Sequence, residues 1–207
     1  MRYRPRPIKA SLGSLARLIM TTAVLTLAPA VTRSQTPVGG AFALTDQDGG
    51  QVTERNLLGR PSMIFFGFTS CPDVCPSTLL NITNWLAQLG ADADQLNVVF
   101  VSVDSEEDTP AQVKLYLSSF DPRIRGFVGS ETQIEKITSA YGVRYKRIAR
   151  NDGGYTYSHS TLIYLMDRHG RHVGFLRYED PDAQAVATLH RLAAADDEST
   201  TSVGLTR

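Results

Sequence analysis

The chain reads as an α/β protein, a central mixed sheet flanked by helices, and three observations carry that reading. Two continuous apolar runs, 62–68 and 96–103, have the character of strands buried on both faces. Each is followed by a segment whose apolar residues recur at three- and four-residue spacing, the mark of an amphipathic helix. The alternation strand, helix, strand, helix implies parallel pairing, because a crossover helix returns the chain to the same end of the sheet. A composition of 42% hydrophobic and 20% charged residues over 207 positions is that of one globular domain. It excludes a disordered, collagen-like or low-complexity chain.

The elements follow in order. Residues 38–43 lead into the turn cluster Asp46-Gln47-Asp48-Gly49-Gly50, and Gln51-Val52-Thr53 completes a small N-terminal β-hairpin extension. The first long strand, 62–68, is bounded by Pro61 and Thr69. Leu79, Ile82, Trp85, Leu86 and Leu89 then define a helix that Gly90 stops. After the second strand, Thr109-Pro110 supplies an N-cap and a first-turn proline for a helix through about Phe120, with Val113, Tyr116, Leu117 and Phe120 on its core face. The run Glu106-Glu107-Asp108 just before it reads as a solvated segment that favours the helix N-terminus and could also dock a basic surface. Ser130-Glu131-Thr132-Gln133 is a capping box opening a helix to Tyr141, ended by Gly142. A strand over 143–149, a turn at Asn151-Asp152-Gly153-Gly154, a hairpin pairing 161–166 with 172–177, and a helix over 182–195 complete the chain. There is no internal repeat, interdomain linker or Gly-rich phosphate loop. This order matches a thioredoxin-like fold.

The charge is unevenly placed. The first 30 residues hold five basic side chains and no acid, which leaves 16 basic against 21 acidic groups over the remaining 177. That net charge of −5 carries no nucleic-acid footprint. The basic start, the apolar run 18–31 and Ala28-Pro29-Ala30 read as a signal peptide or signal anchor over 1–33, with no cysteine nearby to accept a lipid. The expected organisation is therefore an export segment at 1–33, a domain at 34–195 and a flexible tail at 196–207.

Chemistry concentrates on two cysteines. Cys71 and Cys75 stand in Thr69-Ser70-Cys71-Pro72-Asp73-Val74-Cys75-Pro76, where the first strand hands over to the first helix, the usual functional edge of a parallel sheet. With Pro76 as the first helical residue, both lie on the loop before the helix, whose unpaired N–H groups and dipole favour thiolate. Three intervening residues widen the bite beyond that of a thioredoxin-type motif without forbidding a disulfide. Two thiolates on one loop suit Cu(I), and one imidazole would complete a trigonal site; zinc usually wants a fourth ligand. Of the four histidines, His169 and His172 flank a hairpin turn and His190 lies on the last helix. His159, in Tyr155-Thr156-Tyr157-Ser158-His159-Ser160, stands at the entrance to the strand at 161–166, where a thioredoxin-like sheet approaches the cysteine loop. Asp73 either places charge near a metal or complements the helix terminus.

These segments together resemble the SCO/SenC family of copper-binding, thioredoxin-like proteins that assist cytochrome c oxidase assembly. The matching pieces run from Phe42-Ala43-Leu44-Thr45-Asp46-Gln47-Asp48-Gly49 through the stretch from Phe66 to Pro76 that holds both cysteines. They continue with Val99-Phe100-Val101-Ser102-Val103-Asp104, Asp108-Thr109-Pro110, Phe120-Asp121-Pro122-Arg123-Ile124 and His159-Ser160. The resemblance implies a copper chaperone with Cys71, Cys75 and His159 as ligands. It implies as partner the oxidase subunit carrying the CuA site, together with other copper chaperones or thioredoxin-like reductants. It also implies a periplasmic place, soluble or anchored to the outer face of the inner membrane. Two positions depart from the family pattern: Ser158 stands where an aspartate usually precedes the histidine, and Asp104-Ser105-Glu106 replaces Asp-Pro-Glu. A missing carboxylate at Ser158 removes one candidate for orienting the ring. The main alternative is a periplasmic thiol-disulfide oxidoreductase using Cys71 and Cys75 as a redox pair on the oxidase copper-site cysteines, for which His159 is not required. A thiol peroxidase or a purely structural disulfide fits less well, the latter because so short a loop constrains the unfolded chain little.

Overall fold

The computed structural model describes residues 37–195. The expected export segment and C-terminal tail lie outside the described residues.

Asp46 makes the first turn: its carboxylate accepts hydrogen bonds from the backbone N–H of Asp48 (3.1 Å) and Gly50 (2.8 Å), and Gly49 adopts a φ of 88° that a side chain would resist. Strands β1 (Ala43–Asp46) and β2 (Gln51–Thr53) therefore pair antiparallel, with Leu44 opposite Val52. The two apolar runs become β3 (Ser62–Gly67) and β4 (Asn97–Ser102), parallel neighbours with every residue buried. Between them α1 (Val74–Leu89) buries Cys75, Thr78, Leu79, Ile82, Trp85, Leu86 and Leu89 along one stripe.

Helix α2 (Pro110–Leu117) starts at the Thr109 capping box but stops before Phe120. There the Ser118 hydroxyl donates to the Leu115 carbonyl at 2.6 Å, competing with the helical ladder. Strand β5 (Ile124–Val128) follows and is absent from the sequence reading, because Arg125 and Gly126 interrupt its apolar run. It joins β4 in parallel and β1 antiparallel, which is how the N-terminal hairpin docks onto the sheet. Helix α3 (Glu131–Tyr141) ends as expected at Gly142, which is left-handed with φ 65°.

Next come β6 (Tyr145–Ala149) and β7 (Tyr155–His159), a two-stranded sheet of their own, then β8 (Ile163–Met166), β9 (His172–Leu176) and α4 (Asp182–Ala194). The main sheet has the order β2-β1-β5-β4-β3-β8-β9, with β8 antiparallel to both β3 and β9. Alternation along β3 divides the core. Phe65 faces Phe100 and, beyond it, Tyr116 of α2, whereas Phe66 faces Tyr141 of α3 at 5.6 Å on the opposite side. Helix α4 packs on α1, where the Trp85 indole donates to the Asp182 carboxylate at 2.7 Å. Helices thus cover both faces of the mixed sheet. Among the described residues no helix is long and apolar enough to cross a membrane.

Candidate metal centre

After Gly67 the chain leaves β3, and the Cys71 N–H donates to the Phe68 carbonyl at 3.3 Å. The helix begins at Val74, so Cys75 sits in its first turn rather than on the preceding loop as the sequence suggested. Pro76 is still tolerated, because first-turn N–H groups have no intrahelical acceptor to lose. Asp73 takes the N-cap place, is exposed, and its side chain makes no cap hydrogen bond. Cys75 is fully buried, and its seat depends on a missing side chain: a Cβ on Gly67 would stand 2.7 Å from the Cys75 sulfur and 2.8 Å from Phe100. Both thiols are free.

His159 is the last residue of β7, paired with Tyr145, and not the entrance of the following strand. Tyr157, Ser158 and the exposed pairing edge hide that strand in the sequence, since only partial burial marks it. The ring Nε2 lies 3.4 Å from the Cys75 Sγ, and Nδ1 lies 2.9 Å from the Ser160 carbonyl. A carbonyl only accepts, so Nδ1 carries the proton and the Nε2 lone pair faces the thiols. Phe65 and Phe68 hold the ring edge-on, with centroids at 6.3 and 5.7 Å. The Ser160 carbonyl thus does the orienting for which the usual aspartate, here the exposed Ser158, was a candidate. The two sulfurs and the imidazole nitrogen all lie within 4.8 Å of one another. No other group of this kind occurs among the described residues. His190 instead bonds Asp92 at 2.7 Å, His172 stacks on Phe175 at 4.3 Å, and His169 lies in the turn between β8 and β9, its N–H donating to the Asp167 carboxylate.

The thiols share charge unequally. Hydrogen bonding from Cys75, with lesser help from the backbone N–H groups of Asp73 and Cys75, brings Cys71 down to about 4 against the opposing effect of burial. The same contact with the Cys71 thiolate, together with burial, pushes Cys75 well up. Before any metal arrives, the pair therefore holds one proton between its two sulfurs, with Cys75 the favoured site.

Beneath the site lies a carboxylate that sequence reasoning placed in solvent. Asp108 is 6% exposed; its Oδ2 accepts from the Thr69 N–H at 2.9 Å and from the Ser102 hydroxyl at 2.5 Å, and its Oδ1 from the Thr69 hydroxyl at 2.5 Å. Burial raises its pKa in spite of these bonds. It ties the residue two before Cys71 to the end of β4. Ser102 was the available signal, since a hydroxyl ending an apolar strand needs a buried partner. Of its neighbours in the acidic run, Glu106 pairs with Arg147 of β6 at 3.3 Å. Asp104, also buried, accepts from the Tyr155 hydroxyl at 3.0 Å. These two contacts hold the β6–β7 hairpin, and with it His159, against the loop after β4.

Two thiolate sulfurs and one imidazole make a soft, three-donor set with an open side. A closed structural zinc site would need a fourth donor, and none of the right kind stands within reach among the described residues.

The SCO1/SenC family model matches residues 30–194. An SCO2-like protein of Rickettsia prowazekii (strain Madrid E) is 37% identical over 156 residues, which are 74% of this chain and 76% of that one. The copper-bound structure of Bradyrhizobium japonicum ScoI is 48% identical, with a TM-score of 0.71, and the match covers 75% of this chain and 99% of that one. BsSco, described as a member of the Sco family of cytochrome c oxidase assembly proteins and as carrying a disulfide switch, shares the fold at 21% identity and a TM-score of 0.61, over 77% of this chain and 96% of its own. The thioredoxin-like fold, the paired cysteines and the convergent histidine belong together, and by the extent of these matches the chain belongs to the SCO1/SenC family.

Proposed function

We propose that the protein is a copper chaperone that binds one copper ion through Cys71, Cys75 and His159 and delivers it to the CuA-bearing subunit of cytochrome c oxidase during assembly. The observation that carries this is the convergence of two thiols and an imidazole lone pair within 4.8 Å, with a ring already held in the binding tautomer. Support also comes from copper bound in B. japonicum ScoI and from the assembly role ascribed to BsSco. Three donors with an open side let an incoming thiolate or imidazole of the recipient replace one bond at a time. Residues 1–33 export the domain at 34–195 to the periplasm, either cleaved or retained as an anchor, and 196–207 form a tail.

The unequal thiols favour a second activity at the same residues, reduction of the recipient's own cysteines. The Cys71 thiolate attacks a client disulfide, forming a mixed disulfide and releasing one client thiolate. Cys75 then gives up its proton and attacks the Cys71 sulfur, which releases the second client thiol. The client gains two electrons, and the protein is left with a Cys71–Cys75 disulfide.

An anaerobic copper titration of the reduced full chain against a competing chelator tests the first reading. One-to-one binding that weakens at least about tenfold in His159→Ala, equivalent to about 1.4 kcal/mol, is the expected result. Tight binding indifferent to His159 would remove the three-ligand model and leave dithiol exchange.

A further inference from the structure

Beside the metal centre is a cleft of about 620 Å³ that ends at His159. Its floor is apolar, formed by Tyr141, Leu162, Tyr164 and Phe175. Phe175 is 39% exposed and meets the Tyr164 ring edge-to-face at 5.0 Å, so a bulky aromatic side chain is left partly open at the cleft. Its rim carries Arg144 and Lys146, both exposed, and no carboxylate lines it.

The strand register places these two cations. Lys146 is paired with Ser158, and the Arg144 carbonyl accepts from the Ser160 N–H at 2.9 Å, so one cation stands to either side of His159 along the hairpin. The other cations of this stretch are engaged: Arg147 pairs with Glu106 and stacks on Tyr155 at 3.8 Å, and Arg150 pairs with Asp152 at 2.7 Å. Arg144 and Lys146 have no ion-pair partner among the described residues. Ser158 bears on this directly, because an acid there would stand opposite Lys146. A second cleft of about 490 Å³, which shares Tyr145 and Lys146 with the first, is mixed in charge: it carries Glu106, Glu131 and Glu135 beside Lys146 and Arg147.

We propose that the cleft beside His159 is the docking surface for the metal-receiving protein, and that the segment it accepts is acidic with an apolar side chain that fills the space over Phe175. The inference rests on the copper-delivery reading for the identity of the partner, and on the cleft alone for its chemistry. Unpaired cations around an apolar floor favour such a segment. A segment seated there reaches His159, one of the three donors. The chain's N-terminal segment is the competing occupant, because Val38 lines the cleft. Residues 1–36 carry six basic side chains and no acid, the wrong charge for this rim.

The test is copper-independent. A fluorescein-labelled, cysteine-free peptide of Phe, Leu and Asp is titrated with the metal-free full chain by anisotropy, beside a twin bearing Lys at every Asp. The acidic peptide should bind at least about tenfold more tightly than its twin, weaken as salt rises from about 50 to 200 mM, and lose its advantage in the double variant Arg144→Glu/Lys146→Glu. Phe175→Ala should weaken it by a similar factor with the salt dependence retained. Equal binding of the two peptides, or an advantage that survives the double variant, would overturn the proposal. So would binding to anionic phospholipid vesicles that the double variant abolishes while the peptides go undiscriminated, which would assign the rim to a lipid surface. A chelator titration separates this from the parent reading: copper affinity should be unchanged in the double variant and reduced in His159→Ala.

Discussion

Gly67→Ala adds one methyl group directly against the Cys75 sulfur, where there is no room for it. The new Cβ would lie 2.7 Å from the Cys75 sulfur and 2.8 Å from a Phe100 ring carbon, while ordinary contacts begin near 3.4 Å. Phe100 is wholly buried and packed against Phe65 and Tyr116, so it has little freedom to yield. The sulfur must therefore move by roughly an ångström, several times the tolerance of about 0.2 Å in a metal–ligand bond. Overpacking of this kind costs about 1–3 kcal/mol of stability, and the displaced donor should lower copper affinity by about tenfold or more. Urea unfolding and anaerobic chelator competition measure the two effects on the same sample. Gly126→Ala is the control: its Cβ would collide with Val113 and Leu117 of α2 and with neither thiol, and should destabilise the fold while the folded fraction binds copper normally. Wild-type copper affinity in folded Gly67→Ala, or an equal loss in Gly126→Ala, would refute the reasoning.

Two further outcomes follow from the electrostatics. Because Cys71 is lowered to about 4 and Cys75 is raised and buried, iodoacetamide should modify Cys71 alone in the metal-free protein. Its rate should be nearly flat from about pH 6 to 8, where an ordinary thiol quickens about tenfold per unit; mass spectrometry of the alkylated peptides distinguishes the cases. For Asp108 the folded-state pKa is raised, so the folded protein holds its proton more tightly than the unfolded chain. That contribution is fully present below the ordinary carboxyl value of 3.8 and is lost as pH rises through the raised one. The stability difference between wild type and Asp108→Asn should therefore shrink as pH rises from about 4 to 7, read from urea midpoints; a difference that grows over that range contradicts the burial argument.

Much of the architecture was legible because it is written in local patterns. Buried strands announce themselves by unbroken apolar runs, as at 62–68, and helices by the spacing of Leu79, Ile82, Trp85 and Leu86 together with stops at Gly90 and Gly142. Cys71 and Cys75 were legible as a pair because their spacing and their place before a helix are sequence properties. Strands β5 and β7 were not, since Arg125 and Gly126 interrupt one and the other is half-exposed with mixed side chains. Their pairing comes from partners distant in the chain.

The amino-acid order by itself determined the fold class, the thiol pair and, through resemblance, the histidine that completes the set. Only the tertiary structure decided that Cys75 occupies a helical turn over Gly67, that the Ser160 carbonyl orients His159, and that Asp108 is a buried clamp and not a solvated charge. It alone brought Arg144 and Lys146 to the rim of one cleft. Periodicity and capping act over a few residues and so survive in one dimension, whereas burial, charge sharing and ligand convergence depend on groups far apart in the chain, 84 positions for Cys75 and His159, that meet only when the sheet has formed.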